Sequence, residues 1–268
     1  SSPQLNNLLI ENSTSSYGGA IYAQDAVFRL SNSIIRSNTS YQNGGAIYFQ
    51  TSNSKIINTE IFGNSAQNAG GAFYVSGGNP EILNCTIAEN TAPSGSQIST
   101  FDNADPILIN CVVKTVSSSN SLVNLSTRGN IEFRHCTLIS IENLISARDN
   151  CNVTMVNSIY SGLINLHQLG SPDSLWMFNS NFDSTRLTIE YDFGNGGIVN
   201  ENNFNYLNWT ENNNFTDNPQ FSETDYSLSI YSPCIGAGLD TSIVPSSDKD
   251  GNPRPNPSGS NPDIGAYE

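Results

Sequence analysis

The residues from Asn43 to Gln50 read NGGAIYFQ, and five of these letters recur elsewhere in the chain. GGAIY also begins at Gly18, and the near copy GGAFY begins at Gly70, so neighbouring copies are 26 residues apart. A fixed period between about 20 and 50 residues is typical of solenoid proteins, in which each coil packs on its neighbours. The sequence therefore predicts a stack of coils, one for each repeat.

An asparagine followed by a small residue marks one position in successive coils. The steps between these pairs are 26, 26, 26, 25, 22 and 22 residues, and a histidine replaces the asparagine once. The pairs are Asn32-Ser33, Asn58-Thr59, Asn84-Cys85, Asn110-Cys111, His135-Cys136, Asn157-Ser158 and Asn179-Ser180. The register extends upstream to Asn6-Asn7 and downstream to Asn203-Phe204, which predicts about nine coils.

Apolar residues flank each pair at fixed offsets, as the alternation of a β-strand requires. They are Ile82, Leu108, Phe133, Met155 and Met177 before the small residue, and Ile61, Ile87, Val113, Leu138, Tyr160 and Phe182 after it. The asparagine between them tolerates the left-handed conformation of a sharp bend, and its amide can bond to the same amide in the next coil. We therefore predict an all-β chain with an internal, structural asparagine ladder. Its members are Asn32, Asn58, Asn84, Asn110, His135, Asn157 and Asn179.

The recurring GGA segment places aromatic side chains on the outside of the coils. Each glycine pair lets the chain turn tightly into a strand, and period-two alternation then directs Ile21, Ile47 and Phe73 inward. Outward positions carry Tyr22, Tyr48 and Tyr74, followed on the same face by Gln24, Gln50 and Ser76. Three rings in a column beside amides form a flat platform on which sugar rings or protein surfaces can stack. The alternative is that outward tyrosines simply suit a β-strand and pack on one another.

The ladder, the short strands and the coil length resemble the right-handed parallel β-helix of the pectate-lyase-like superfamily. The motif Asn64-Ser65-Ala66 followed by Gly70-Gly71-Ala72-Phe73-Tyr74 resembles the polymorphic outer-membrane protein repeat of bacterial surface proteins, although only three coils carry the GGA strand. The chain's ending resembles the terminal segment of bacterial surface β-helices. It comprises Tyr231-Ser232-Pro233-Cys234-Ile235-Gly236-Ala237-Gly238, Asp248-Lys249-Asp250-Gly251-Asn252-Pro253-Arg254 and Asp263-Ile264-Gly265-Ala266-Tyr267-Glu268.

Two regions are expected. Residues 1–222 form the parallel β-helix, with a longer loop from Glu201 to Asn218, and residues 223–268 form a closing segment packed on the last coil. Such a segment would cover strand edges that otherwise recruit further chains. The first coil begins in repeat register without a cap, so we expect either an upstream coil or cap above Leu9 or docking of this coil on another subunit, which would give head-to-tail self-association into a fibre.

Composition narrows the partners and the compartment. The net charge is −14 with ten Lys and Arg residues, which argues against nucleic acid, and no apolar run is long enough to span a bilayer. The five cysteines include no C-x-x-C pair, so a zinc site is not indicated. Cys85, Cys111 and Cys136 would stack on successive coils about 4.8 Å apart, which exceeds the Cβ separation of a disulfide, so we expect buried thiols at these three positions. Richness in Asn, Ser, Thr and Gly with few lysines favours an extracellular protein, secreted or displayed on the cell surface.

A catalytic interpretation rests on few residues. Polysaccharide lyase chemistry needs a base and a cation. The candidates are Glu132, Arg134 and His135, with Arg148 and Asp149 one coil on, although a surface ion pair and a ladder histidine explain them as well. Hydrolase chemistry would use carboxylate pairs such as Glu190 with Asp192 or Asp102 with Asp105, while His167 stands alone.

A calcium ion is the one cofactor that the sequence suggests. Asp248, Asp250 and Asn252 have the spacing of the first calcium-loop ligands, but Pro253 takes the place of the glycine and favours a structural turn. We therefore expect no other cofactor. The favoured function is a non-enzymatic adhesive or structural β-helix that binds glycan or a surface protein along the tyrosines. The alternatives are a polysaccharide lyase or hydrolase and a fibre subunit.

Overall fold

The computed structural model describes residues 2–115, 120–167, 173–182, 189–191, 198–199, 208–222, 225–241 and 243–268. These residues form β-strands joined by turns and irregular chain, and the predicted all-β class is confirmed. Within the described ranges, no helix has the length and apolar character that crossing a bilayer takes.

The strands stack into parallel sheets that form the faces of a solenoid. One nine-stranded sheet contains β1 (Gln4–Asn6), β5 (Arg29–Ser31), β9 (Lys55–Ile57), β13 (Glu81–Leu83), β16 (Ile107–Ile109), β19 (Ile131–Arg134), β21 (Asn152–Val156), β23 (Ser174–Phe178) and β27 (Asn208–Asn212). The second face contains β2 (Leu9–Glu11), β6 (Ile34–Arg36), β10 (Glu60–Phe62), β14 (Thr86–Ala88), β17 (Val112–Thr115) and β24 (Asn181–Phe182).

The third face contains β4 (Ile21–Gln24), β8 (Ile47–Gln50), β12 (Phe73–Ser76), β15 (Ile98–Phe101), β18 (Val123–Leu125) and β25 (Ile189–Tyr191), which pairs antiparallel with β26 (Ile198–Val199). Two long strands, β20 (Thr137–Arg148) and β22 (Ile159–His167), belong to the second and third faces together. A small sheet contains β3 (Thr14–Ser15), β7 (Thr39–Ser40) and β11 (Ser65–Ala66).

The number of coils is slightly lower than predicted. The solenoid has about seven turns, whereas the spacing predicts about nine coils. The nine-stranded sheet extends further, because β23 and β27 continue it beyond those turns. The predicted pair Asn203-Phe204 lies outside the described residues. The next corner is instead at Asn213, whose φ is 54°, so part of the predicted loop from 201 to 218 forms β27.

The interior follows the predicted alternation. The apolar columns before and after each corner are buried, and so is the small column from Ser33 to Ser180. Hydrogen bonding explains why serine, threonine and cysteine interchange in this column. Ser33, Thr59 and Cys85 each donate to the backbone carbonyl two residues earlier, at 2.7, 2.9 and 3.1 Å.

The predicted asparagine ladder is present, and we call it the outer ladder. Its members from Asn32 to Asn179 all have φ between 46° and 53°, the left-handed conformation expected of the bend. The Nδ2 group of Asn58 donates to Oδ1 of Asn32 at 3.1 Å, and that of Asn84 donates to Asn58 at 3.0 Å. The prediction that the ladder is internal is wrong for the first coils, where Asn32 and Asn58 are exposed and Asn84 is half-buried. From Asn110 onward the ladder is buried.

The C-terminal segment, residues 223–268, covers the buried part of the outer ladder. The guanidinium of Arg254 donates to Oδ1 of Asn110 at 2.7 Å, and the carbonyl of Asp263 lies 3.2 Å from Nδ1 of His135. Asn157 donates to the carbonyl of Leu239 at 2.9 Å and accepts its N–H at 2.9 Å. These contacts run along the flank of the coils, so the segment covers a side of the solenoid.

A second, inner ladder was not predicted. Asn38, Asn64 and Asn90 are buried and 26 residues apart, and each amide bonds to the next at 2.9 Å. Gln97 ends this ladder by accepting from Asn90 Nδ2 at 2.7 Å. Each member lies six residues after a member of the outer ladder, so the sequence contained the signal.

Candidate binding site

Glycine pairs position the outward tyrosines. Gly44 has a φ of 70°, which suits a residue without a side chain, and the equivalent Gly18 and Gly70 have φ of 56° and 66°. The second glycine serves the stacking of coils, since a Cβ at Gly45 would lie 2.2 Å from the carbonyl oxygen of Gly71. The strands that follow pair in register, so that Tyr22, Tyr48 and Tyr74 lie in one column.

Four aromatic rings form this column. The centroids of Tyr22 and Tyr48 are 5.2 Å apart with an interplanar angle of 15°, and those of Tyr48 and Tyr74 are 5.0 Å apart at 52°. Tyr17, from the loop before Gly18, stacks on Tyr48 at 5.4 Å and on Tyr22 at 6.1 Å. Tyr17 was missed because the matching positions in the next two coils, Asn43 and Ala69, are not aromatic. We call Tyr17, Tyr22, Tyr48 and Tyr74, with Gln24 and Gln50, the tyrosine flank.

The tyrosine rings pack against one another and do not lie side by side in one plane. Two rings side by side in one plane would have centroids about 6.5 Å apart, because their nearest carbons need about 3.5 to 4.0 Å. At 5.2 and 5.4 Å, with interplanar angles of 15° and 24°, Tyr22 and Tyr17 are offset and stacked on Tyr48, while Tyr74 is tilted against Tyr48 at 52°. The tyrosines therefore pack on one another, as the second interpretation of the sequence expected, and the tyrosine flank presents mainly ring edges and hydroxyls.

Polar groups complete this surface. The Tyr22 hydroxyl donates to Oε1 of Gln50 and lies 3.2 Å from Oε1 of Gln24. Tyr22 is 46% exposed, while Tyr48 and Tyr74 are half-buried. Burial, followed by the neighbouring Tyr48, raises the pKa of Tyr74 to about 12, so its hydroxyl remains a donor at neutral pH.

The proposed lyase residues are distributed over different environments. Glu132 and Arg134 form a two-pronged ion pair at the surface, with N–O distances of 2.7 and 2.8 Å. His135 is buried in the outer ladder, where its Nε2 lies 3.0 Å from Nδ2 of Asn157. Burial, and next the charge of Arg254, hold the pKa of His135 well below its usual range. Arg148 and Asp149 are exposed.

The proposed hydrolase carboxylates do not form a described site. Asp102 and Asp105 are both exposed, and Asp102 lies 4.0 Å from the guanidinium of Arg128. Asp192 lies outside the described residues. Glu190 lies on β25, and His167 ends β22 beside Arg148 of β20.

The Asp248 carboxylate is engaged by the chain on both oxygens. Oδ1 accepts the N–H groups of Asp250 and Asn252 at 2.9 and 2.8 Å. Oδ2 accepts Nδ2 of Asn252 at 2.9 Å and the N–H of Glu268 at 3.0 Å. Asp248 is buried and Asp250 exposed, so this loop is built as a turn around Asp248. In the described part of the chain, no group of three or more His, Cys, Asp or Glu side chains could hold a metal ion.

All five cysteines are buried free thiols, which confirms the prediction for Cys85, Cys111 and Cys136. Burial raises the pKa of the Cys85 and Cys136 thiols well above the usual value. A thiol that stays protonated is a weak nucleophile, so Cys85 and Cys136 contribute packing and weak hydrogen bonds to the small column.

Comparison with known proteins supports the architecture. Residues 4–115 match the family described as the right handed beta helix region. No curated protein and no solved structure gives a significant match. Together with the parallel register of the stacked strands, the family match identifies the fold as a right-handed parallel β-helix.

Proposed function

We propose that this β-helix is an adhesive protein, secreted or displayed on a cell surface, that contacts another protein along the tyrosine flank. The observation that carries the proposal is the continuous stack of four tyrosine rings on the N-terminal coils. The resemblance of the surrounding repeat to polymorphic outer-membrane proteins supports a surface location, as does the acidic, Asn-rich composition.

The exposed chemistry favours a protein partner over a sugar. Sugar rings stack on free aromatic faces, whereas the faces in the tyrosine flank largely contact one another. What remains outside is a rigid row of ring edges, hydroxyls and amides, the mixture of apolar contact and adaptable hydrogen bonding that tyrosine-rich protein interfaces use. Little side-chain entropy is lost on binding, because the stack already fixes the rings.

The test compares tyrosines inside and outside the stack. The double variant Tyr22→Ala/Tyr48→Ala removes the centre of the tyrosine flank, while Tyr41→Ala removes an equally exposed ring, 56% accessible, that lies outside it. Wild type and variants are passed over immobilised mucin, fibronectin and collagen and over a glycan array. We expect binding to at least one of these proteins that weakens at least tenfold in the double variant and is unchanged in Tyr41→Ala.

Other outcomes identify the alternatives. Binding confined to the glycan array and lost in the double variant would assign the flank to sugars. Absence of binding to all probes, or equal binding by all variants, would refute the adhesive role of the flank. Release of unsaturated products from pectin, alginate or glycosaminoglycans, lost in Arg134→Ala, would favour a lyase.

A further inference from the structure

A cleft of about 400 Å³ lies between the flank of the solenoid and the chain that follows β27. Strand residues form one wall, among them Ile159 and Ser161 of β22. The other wall includes Thr216, Asp217, Phe221 and Tyr226. This volume is within the range of small-molecule sites, roughly 300 to 1,000 Å³, and it fits about one or two sugar rings.

Hydrogen bonds fix the outer wall in place. Nδ2 of Asn181 donates to the carbonyl of Asp217 at 2.7 Å, and Oδ1 of Asn218 accepts the N–H of Gln220 at 2.9 Å. The hydroxyl of Ser232 donates to the carbonyl of Pro219 at 2.5 Å. The cleft is therefore held open by the fold and does not depend on a ligand to form it.

Further bonds hold the aromatic side of the cleft. Asp225 accepts the N–H of Ser227 at 3.0 Å and its hydroxyl at 2.7 Å, and its own carbonyl accepts the Tyr267 hydroxyl at 3.1 Å. The adjacent Tyr226 meets Phe221 edge to face at 5.5 Å and carries the ammonium of Lys114 over its ring at 5.0 Å. The Lys114 ammonium therefore already occupies one face of the Tyr226 ring.

The lining combines an apolar surface with unengaged polar groups. Ile139, Phe221 and Tyr226, which are partly exposed, supply apolar contact. Within the described ranges, the side chains of Ser161, Thr216 and Asp217 make no hydrogen bond or ion pair to the protein. They offer two hydroxyls, which both donate and accept, and one carboxylate, which accepts hydrogen bonds from hydroxyl groups.

We infer that this cleft binds a neutral sugar ring. A sugar ring has an apolar C–H face and a rim of hydroxyl groups, which match the apolar wall and the three polar side chains. Asp217 disfavours an anionic sugar, because a second carboxylate beside it would be repelled, and Lys114 engages the Tyr226 ring and is not among the residues that line the cleft. The site is separate from the tyrosine flank, so it stands whether or not the flank binds a protein.

The test uses saturation-transfer NMR with methyl glucoside, methyl galactoside and N-acetylglucosamine, with methyl galacturonoside as the anionic comparison. We expect transfer to at least one neutral sugar and weaker transfer to the uronate. Asp217→Ala should weaken the affinity at least tenfold, whereas Asp240→Ala, which removes an exposed carboxylate elsewhere, should not change it. Tyr226→Phe, which keeps the ring, should stay within about threefold.

A blocking variant provides a second criterion. Ser161→Trp fills the cleft from a partly exposed strand position and should abolish transfer. Should this variant not fold, Asp217→Ala decides the matter. No transfer to any neutral sugar at millimolar concentration, transfer indifferent to both substitutions, or preference for the uronate would overturn the inference. Loss of transfer in Tyr22→Ala/Tyr48→Ala would move the sugar site to the flank.

Discussion

The N-terminal and C-terminal coils use the same asparagine corner in opposite environments. Asn32 and Asn58 bend the chain in water, whereas Asn157 makes the same bend beneath the C-terminal segment, with additional bonds to Leu239. The corner conformation is the same in both, with φ of 50°, 49° and 48°. The bend is thus set by the local chemistry of asparagine, while burial decides how much each amide contributes to stability.

The largest difference between the regions is a buried ion pair in the C-terminal segment. Arg254 and Glu268 have fully buried side chains, and their Nε and Oε2 atoms are 2.8 Å apart. Arg254→Ala leaves the carboxylate buried without its cation, so we expect the free energy of unfolding in urea to fall by about 3 to 5 kcal/mol. Amide hydrogen exchange should show the loss first in the covered coils.

The matched control is an exposed pair on the N-terminal coils. Nζ of Lys55 lies 2.7 Å from Oε2 of Glu81, and both side chains are substantially exposed. Lys55→Ala should cost less than about 1 kcal/mol, because water already solvates both charges. Equal losses from Arg254→Ala and Lys55→Ala would mean that the C-terminal segment does not stabilise the coils it covers.

The next prediction separates burial from backbone conformation in the outer ladder. Asn157→Gly and Asn58→Gly both remove the amide but keep the left-handed bend, which glycine adopts without strain. We expect Asn157→Gly to cost about 1 to 3 kcal/mol, because the N–H of Leu239 and neighbouring groups lose buried partners. Asn58→Gly should cost less than about 1 kcal/mol, since water replaces the lost bonds. Thermal and urea unfolding measure both, and equal costs would contradict a role for burial.

The sequence predicts the repeating features well because they depend on neighbours at a fixed spacing. The corner at Asn84, the small column at Cys111 and the inward strand residues such as Phe73 follow from period and alternation alone. The sequence predicted an internal ladder throughout, but the period alone does not show why Asn110 is buried while Asn58 is exposed. The burial of Asn110 depends on Arg254, 144 residues away in a segment without repeats.

The same distinction between repeating and non-repeating features applies to the candidate binding site and the cleft. The column of Tyr22, Tyr48 and Tyr74 is periodic and was predicted, whereas Tyr17, which stacks on Tyr48, has no periodic counterpart and was missed. The cleft beside Asp217 joins β22 to non-repeating chain, so its walls approach only in the folded molecule.

The last prediction concerns pH, and it arises from two groups at the contact between the C-terminal segment and the outer ladder. Burial, outweighing the N–H of Gly236, raises the pKa of Asp263 to about 6. Because the pKa of Asp263 is higher in the folded protein than in the unfolded chain, the protonated carboxyl contributes fully to stability below the unfolded pKa of about 3.9. This contribution is lost as the pH rises through the folded pKa of about 6. Asp263→Asn should therefore gain stability relative to wild type between pH 4 and 6, by about 2 kcal/mol.

The contribution of His135 to stability changes with pH in the opposite direction. Its pKa is lowered by burial and then by Arg254, so its contribution to stability is present above the unfolded value of about 6.5 and is lost as the pH falls. Below pH 6.5, His135→Asn, which restores the usual ladder residue, should gain up to about 1.4 kcal/mol per pH unit relative to wild type. Any packing defect of the shorter side chain adds an offset that does not vary with pH.

The two groups oppose each other between pH 4 and 6, because the folded state takes up a proton at Asp263 while the unfolded state takes one up at the histidine. Their joint contribution in wild type should therefore be nearly flat in this window, and either substitution alone should reveal a slope of opposite sign. For the double variant His135→Asn/Asp263→Asn, the difference in the free energy of unfolding from wild type should again not vary with pH. Asn84→Gly, on a half-buried corner outside the covered ladder, serves as the pH-independent control. If the free energies of unfolding of the two single variants, relative to wild type, changed with pH in the same direction, the C-terminal segment would not desolvate both groups. The contrast between exposed and covered corners would then be contradicted.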